Sequence, residues 1–178
     1  MPISQIGNNS IAAAAGIATS KLGAGAVLQV VQTVKTDTFS TSSTSFTDIT
    51  GLSVSITPTS SSNKIMVLFD VANGGQATVA VLLRLLRNGS TVYGGDAYSG
   101  APNGISQNYV GASGDYFLLR TAGCFLDSPA TTSSVTYKIQ MLTTSAVTAY
   151  INRTTADRAS TIYDIRAASS VTVMEIAA

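Results

Sequence analysis

The sequence predicts an all-β protein, a sandwich or a barrel of short strands, and three observations carry that prediction. Charged residues make up only 11% of the 178 residues, far below the roughly 25% of an average globular chain. Exposed helix faces draw on Lys, Glu and Arg, so a long-helix protein is disfavoured. Ser and Thr supply about a quarter of the chain, and together with Val and Ile they suit a pleated, half-buried surface. Finally, apolar and hydroxyl residues alternate in short runs separated by turn residues, the pattern of eight to ten strands in one sandwich or barrel.

Residues 1–25 stand apart from this pattern. "NNSIAAAAGIATSKL" fits a short helix after an Asn or Ser cap, and equally an extended arm ordered against a partner. Its apolar surface is too small to fix it alone. The stretch "IAAAAGIA" lacks a basic lead-in and the length of a bilayer span, so neither a signal peptide nor a transmembrane helix is expected. We read residues 1–25 as an attachment arm and residues 26–178 as the β domain.

From Ala26, "AVLQVVQTV" is a β-rich run that ends at "KTDT". The hydroxyl-rich "STSSTS" then reads as a turn held by Phe39 on one side and Phe46 on the other. In "LSVSITP", Leu52, Val54 and Ile56 face one way and Ser53, Ser55 and Thr57 the other, until Pro58 ends the strand. "NKIMVLFDVA" (residues 63–72) is more continuously apolar, as in a strand buried on both faces. "VAVLLRLLR" is helix-compatible in isolation, since Leu and Arg favour helices. The Asn88-Gly89 pair and the following "STVY" make it a β-hairpin closed by a type I′ turn.

The Gly-rich residues 97–114 read as one or two long loops. "DYFLLRTAGCFLD" returns to strand, "SSVTYKIQML" puts Val135, Tyr137, Ile139 and Met141 on one face, and "SAVTAYINRT" adds Val147 and Ala149. "NRTTADRAST" is a loop. At the C-terminus, Val171, Val173 and Glu175 alternate with Thr172, Met174 and Ile176, which locks that end into a sheet.

Catalytic chemistry finds little to work with. The chain has no His and one Cys, which removes Cys–His pairs and the usual zinc ligand sets. Cys124, flanked by apolar residues, is expected in the core. Without paired cysteines, the fold does not call for an oxidising compartment. The eight aspartates are widely spaced, leaving open only a calcium site built from separate loops. A carboxylate pair joined by strand ends is equally open, but there is no Trp to serve as a sugar platform. "GAGAV" (residues 23–27) lacks the Lys-Ser/Thr of a phosphate loop. No enzyme activity, cofactor-binding residue or metal ligand is expected. The sequons at Asn88 and Asn152 matter only along a eukaryotic secretory route. Arg84, Arg87 and Arg120 lie within apolar strands, so they either face outward or pair with aspartates, or else meet a partner at a subunit interface. A net charge of +1 offers no field for nucleic acid or membrane and little protection against self-association.

The stretches "LQVVQTVKTDTFSTSSTSFTDITGLSVSITPTSSSNKIMV", "LLRNGSTVYGGD", "FLDSPATTSSVTYKIQ", "AYINRT" and "VTVMEIA" together resemble short structural proteins of tailed bacteriophages, notably those of marine bacteria and cyanobacteria. The likeness runs from Leu28 to the end. It implies a jelly-roll-like antiparallel β-sandwich, a fibre-head or capsid-decoration role, and frequent trimerisation. The N-terminal segment is similar to the "IG…SI…AKL" lead-in that joins such domains to the virion, and departs from it in "AAAAGIA". The implied partners are two further copies of the chain, a major capsid protein or other virion component reached through residues 1–25, and, in the alternative of a receptor-binding head, a host-surface glycan. The resemblance implies no catalytic residues.

Overall fold

The computed structural model describes residues 22–76, 78–96, 99–110, 116–158 and 162–178; the N-terminal reading therefore lies, for residues 1–21, outside the described residues. Eleven strands are present among them: β1 (Val27–Lys35), β2 (Phe39–Thr41), β3 (Thr47–Ile56), β4 (Lys64–Gly75), β5 (Val79–Arg87), β6 (Ser90–Tyr93), β7 (Ser106–Val110), β8 (Leu119–Asp127), β9 (Val135–Thr143), β10 (Ala149–Ile151) and β11 (Ser169–Ile176). They form two antiparallel sheets. Sheet A joins β1-β11-β4-β8, with β10 and β2 continuing from the far end of β4, and sheet B joins β3-β9-β5, with β6 and β7 sharing the outer side of β5. Counting only the eight principal strands in chain order, the sheets read 1-8-3-6 and 2-7-4-5. This double Greek-key order is that of a jelly roll.

The alternation seen in the sequence sets the core. Leu52, Val54 and Ile56 from β3 meet Val135, Tyr137, Ile139 and Met141 from β9, and across the sandwich they meet Ile65, Val67, Val71, Val171 and Val173 of sheet A. Tyr137 is fully buried, and its hydroxyl donates to Asp127 Oδ2 at 2.6 Å. Asp127 also accepts from Arg87 at 2.7 and 2.8 Å. This triad ties β8 in sheet A to β5 and β9 in sheet B.

Turn chemistry follows the sequence closely at the β5–β6 hairpin. Asn88 and Gly89 have φ of 47° and 89°, both in the left-handed region that a type I′ turn requires. Phe39 packs against the main core, while Phe46 covers Ala80, Leu82 and Leu142 on the outer face of sheet B. Between them Ser43 caps its own turn, its hydroxyl donating to Ser45 O at 2.6 Å, and its carbonyl accepts from Thr143 N at 2.9 Å. The hydroxyl-rich stretch is thus folded wall over sheet B.

Three expectations need correction. Residues 97–114 are not loop throughout: Ser106–Val110 form β7 and pair with β5, because backbone pairing to a buried neighbour outweighs a polar, Gly-rich local sequence. Residues 63–72 are buried on both faces only at their end. Met66 and Leu68 lie on the outer face of sheet A, and Leu68 is 37% exposed. Cys124 is exposed on that same face, since Gly123 and Phe125, not Cys124, take the inward positions of β8.

Candidate functional site

The arginines singled out in the sequence find partners within the chain. Arg87 pairs with Asp127, and Arg120 with Asp70 at 2.7 Å. Arg84 lies 4.0 Å over the Phe46 ring and donates to Gln140 Oε1 at 2.8 Å. Burial lowers its pKa, an effect that Asp48 partly offsets. Asp48 is held below the usual carboxylate range by Lys138 and Gln140. These groups engage one another along the outer wall of sheet B. The Tyr137 phenol is pushed far upward by burial and by the Asp127 carboxylate beneath it, so it stays protonated and structural. Among the described residues no three His, Cys, Asp or Glu side chains gather as a metal site, and no helix is long and apolar enough to cross a membrane.

Asn152 is fully buried with φ of 63°. Its amide donates to Lys35 O and Asp37 O at 2.8 and 2.9 Å and accepts from Ser169 at 2.6 Å. Every polar atom of that side chain is committed, so this sequon is a structural node rather than an acceptor for sugar.

One end of the sandwich carries an exposed cluster of aromatic and charged groups. Three segments, residues 116–118, 152–158 and 162–168, converge near Gly74 at the end of β4. A Cβ there would lie 2.6 Å from Arg153 O and 3.0 Å from Phe117 O, so only glycine admits both. Arg153 stacks 4.0 Å over Tyr150 and pairs with Asp157, which Arg166 also grips. Arg158 pairs with Asp164 at 2.9 Å and lies 4.7 Å over the Tyr116 ring, and Tyr116 meets Tyr163 edge-on at 5.9 Å. The Arg158 guanidinium, with the backbone N–H of Arg158 and the Thr154 hydroxyl, holds the Asp164 carboxyl well below its ordinary range. Tyr163 and Ile162 remain 67% and 90% exposed beside it. The sequence marked "NRTTADRAST" as an outward loop but gave no sign of Tyr116 or Tyr163 as its partners. Gly104 and Ile105 lie instead against β5, with Ile105 N donating to Leu83 O.

A second surface is the outer face of sheet A. The register aligns Val30, Met174, Met66 and Leu126 in one row across four strands, with Gln32, Thr172, Leu68 and Cys124 in the next. Val30, Val34 and Leu126 are each about half exposed. Phe46 shields the corresponding face of sheet B; sheet A has no such cover among the described residues.

No family model matches the chain, and no curated protein does. Among solved structures it is similar to VP2 in the infectious bursal disease virus subviral particle, at 10% identity and a TM-score of 0.40, over 84% of this chain and 32% of that one. The chain thus spans about a third of the length of that protein, and no property of VP2 transfers at such a distance.

Proposed function

We propose that this chain is a non-enzymatic structural protein of a tailed-phage virion, a homotrimeric decoration (cement) or head-fibre subunit fastened to the particle through residues 1–25. What supports this reading most is the outer face of sheet A. It presents an apolar row four strands wide across one side of the jelly roll. Contiguous apolar surface of this kind marks a site of protein association. The sequence resemblance from Leu28 onward supplies the virion context, and the near-zero charge suits a component surrounded by other subunits. Gly25 N donates to Ala177 O and Ala177 N to Ala26 O, so residues 1–25 lead off from a point fixed to the C-terminal strand. Pull on the arm would therefore be borne by the sheet itself.

Density mapping of purified particles tests the role, with the protein expected as ordered density on the head surface. A chain missing residues 1–25 should fold and fail to join particles, scored by quantitative mass spectrometry of purified virions. Full occupancy without the arm would overturn the attachment reading.

The exposed Tyr116–Tyr163–Arg158 cluster favours a second reading, a tail-fibre or receptor-binding head that recognises a host-surface glycan. Aromatic faces beside an arginine offer sugar rings both stacking and hydrogen bonds. On that reading the isolated domain binds on a glycan array and Arg158→Ala abolishes the signal. A trimer that binds no glycan would exclude it.

A further inference from the structure

Asparagine followed by glycine is prone to modify itself. The glycine nitrogen can close a succinimide ring on the asparagine side chain, and no Cβ stands in its way. The chain contains three such pairs, Asn73-Gly74, Asn88-Gly89 and Asn103-Gly104, and the fold places each differently. Asn73 is fully buried; its Nδ2 donates to Val71 O at 3.4 Å and its Oδ1 accepts from Asn108 at 3.1 Å. Gly74 is wedged between Arg153 O and Phe117 O. Asn103 is half-buried, and Gly104 lies against Leu83 O. The Gly104 carbonyl accepts from Gly95 N at 3.1 Å, and Ile105 N donates to Leu83 O at 2.6 Å. Neither glycine nitrogen is free to swing toward its asparagine without breaking contacts on buried strands.

Asn88-Gly89 is the exposed pair. It forms the tip of the β5–β6 hairpin, joined by the Arg87–Ser90 pair, with a register shift between Leu85 and Leu86 behind it. A Cβ on Gly89 would meet nothing within 4 Å, and the Gly89 N–H has no hydrogen-bond partner among the described residues. Asn88 Oδ1 accepts from Thr136 N at 2.9 Å. That donor stands where negative charge gathers on the oxygen as Cγ becomes tetrahedral. With φ of 47° and 89°, both residues must leave the turn conformation for the ring to close. Such an opening disturbs the hairpin tip and leaves the sheet in place.

We propose that Asn88-Gly89 is a self-modifying site, at which the Gly89 nitrogen attacks Asn88 Cγ. The new C–N bond forms as the Cγ–Nδ2 bond breaks. Nδ2 takes up the proton that Gly89 gives up and leaves as ammonia. Water then opens the succinimide at either carbonyl, giving aspartate or iso-aspartate, so the sum is amide plus water to acid plus ammonia. The inference goes beyond the virion reading and does not depend on it. Aspartate keeps the turn and cancels the net charge of +1. Iso-aspartate adds a methylene to the backbone, which a two-residue type I′ turn cannot absorb. It therefore releases β6, whose Val92 and Tyr93 pack against the core. The hairpin tip is a slow, irreversible clock at the outer edge of sheet B.

The test incubates the full folded chain in mildly alkaline buffer and follows all three pairs in one sample by peptide mapping. Iso-aspartate is read by labelling with an isoaspartyl methyltransferase. Asn88 is expected to convert at least about 10-fold faster than Asn73 and Asn103 in the folded chain, and the three rates to converge in urea. A smaller difference in the folded chain, or an Asn88 that reacts only in urea, would overturn the inference. Asn88→Gly keeps the left-handed backbone and should remove the acidic species that grows on ion exchange; its persistence would place the reaction elsewhere. The separated iso-aspartate fraction should exchange the amides of Ser90–Tyr93 faster than either the native chain or Asn88→Asp. Equal exchange in all three would mean that β6 is not released, and would overturn the clock.

Discussion

Glu175 is the only glutamate in the chain and is fully buried. Its Oε1 accepts from Thr59 N at 2.6 Å, Thr59 Oγ1 at 2.8 Å and Asn63 Nδ2 at 2.6 Å, and Oε2 accepts from Gln29 at 2.6 Å. Burial alone would raise its pKa, but the hydrogen bonds from Asn63, Gln29 and Thr59 outweigh it and hold the carboxyl below its ordinary value. The sequence put Glu175 on one face with Val171 and Val173, and the structure makes that face the inward one. Its partners were not legible, since Gln29 and Thr59 are 146 and 116 residues away. Glu175→Ala strands four donors and should cost about 3 kcal/mol at neutral pH. Because the folded-state pKa is depressed, the carboxylate's contribution is full above the unfolded value and fades as pH falls through the folded one. Urea midpoints of native and variant chains should therefore converge on acidification to about pH 3. An unchanging gap would mean the loss comes from packing alone.

Within the strands, Gly123 illustrates what an edge strand demands. It lies opposite Phe69 in the β4–β8 register, and a Cβ would come within 2.6 Å of the ring. The ring therefore covers the backbone of β8 where no side chain can stand. It also meets Tyr93, which stacks on Phe125 at 5.1 Å. Gly123→Ala should destabilise by about 2 kcal/mol through overpacking, read as a lower thermal midpoint. Phe69→Leu in the same background should recover part of that loss, and no recovery would place the strain elsewhere. The β5–β6 hairpin was legible because Asn-Gly encodes its own turn. β7 was not, because Ser106, Gln107 and Asn108 have no local preference for a strand and gain one only from β5 beside them. Cys124 was misplaced for a related reason: an apolar run shows that a strand is buried somewhere but not which parity faces inward.

For the whole molecule, the contrast between the two outer faces is the main result. Sheet B shields its apolar patch with Phe46 and Arg84, whereas sheet A presents Val30, Val34, Leu68 and Leu126 to solvent. Association through such a face draws on apolar burial rather than ion pairs. On the proposed homotrimer reading, raising salt from about 50 to about 500 mM should therefore leave an assembly held by this face intact or strengthen it. A trimer that dissociates over this range in sedimentation velocity would point to the charged loop cluster around Arg158 as the contact instead.

The sequence by itself determined the all-β class, the sets of residues that share a face in β3, β9 and β11, the Asn-Gly turn and the absence of histidine and of any cysteine pair. Each of these follows from local periodicity, turn chemistry or composition, which a linear chain carries directly. Only the tertiary structure decided the sheet order, the buried nodes at Glu175, Asp127 and Asn152, and the meeting of Tyr116, Tyr163 and Arg158. It also decided that, among the described residues, one outer face is covered and the other open. Those features depend on contacts between residues far apart in the chain, and strand alternation repeats too regularly to say which strands will pair.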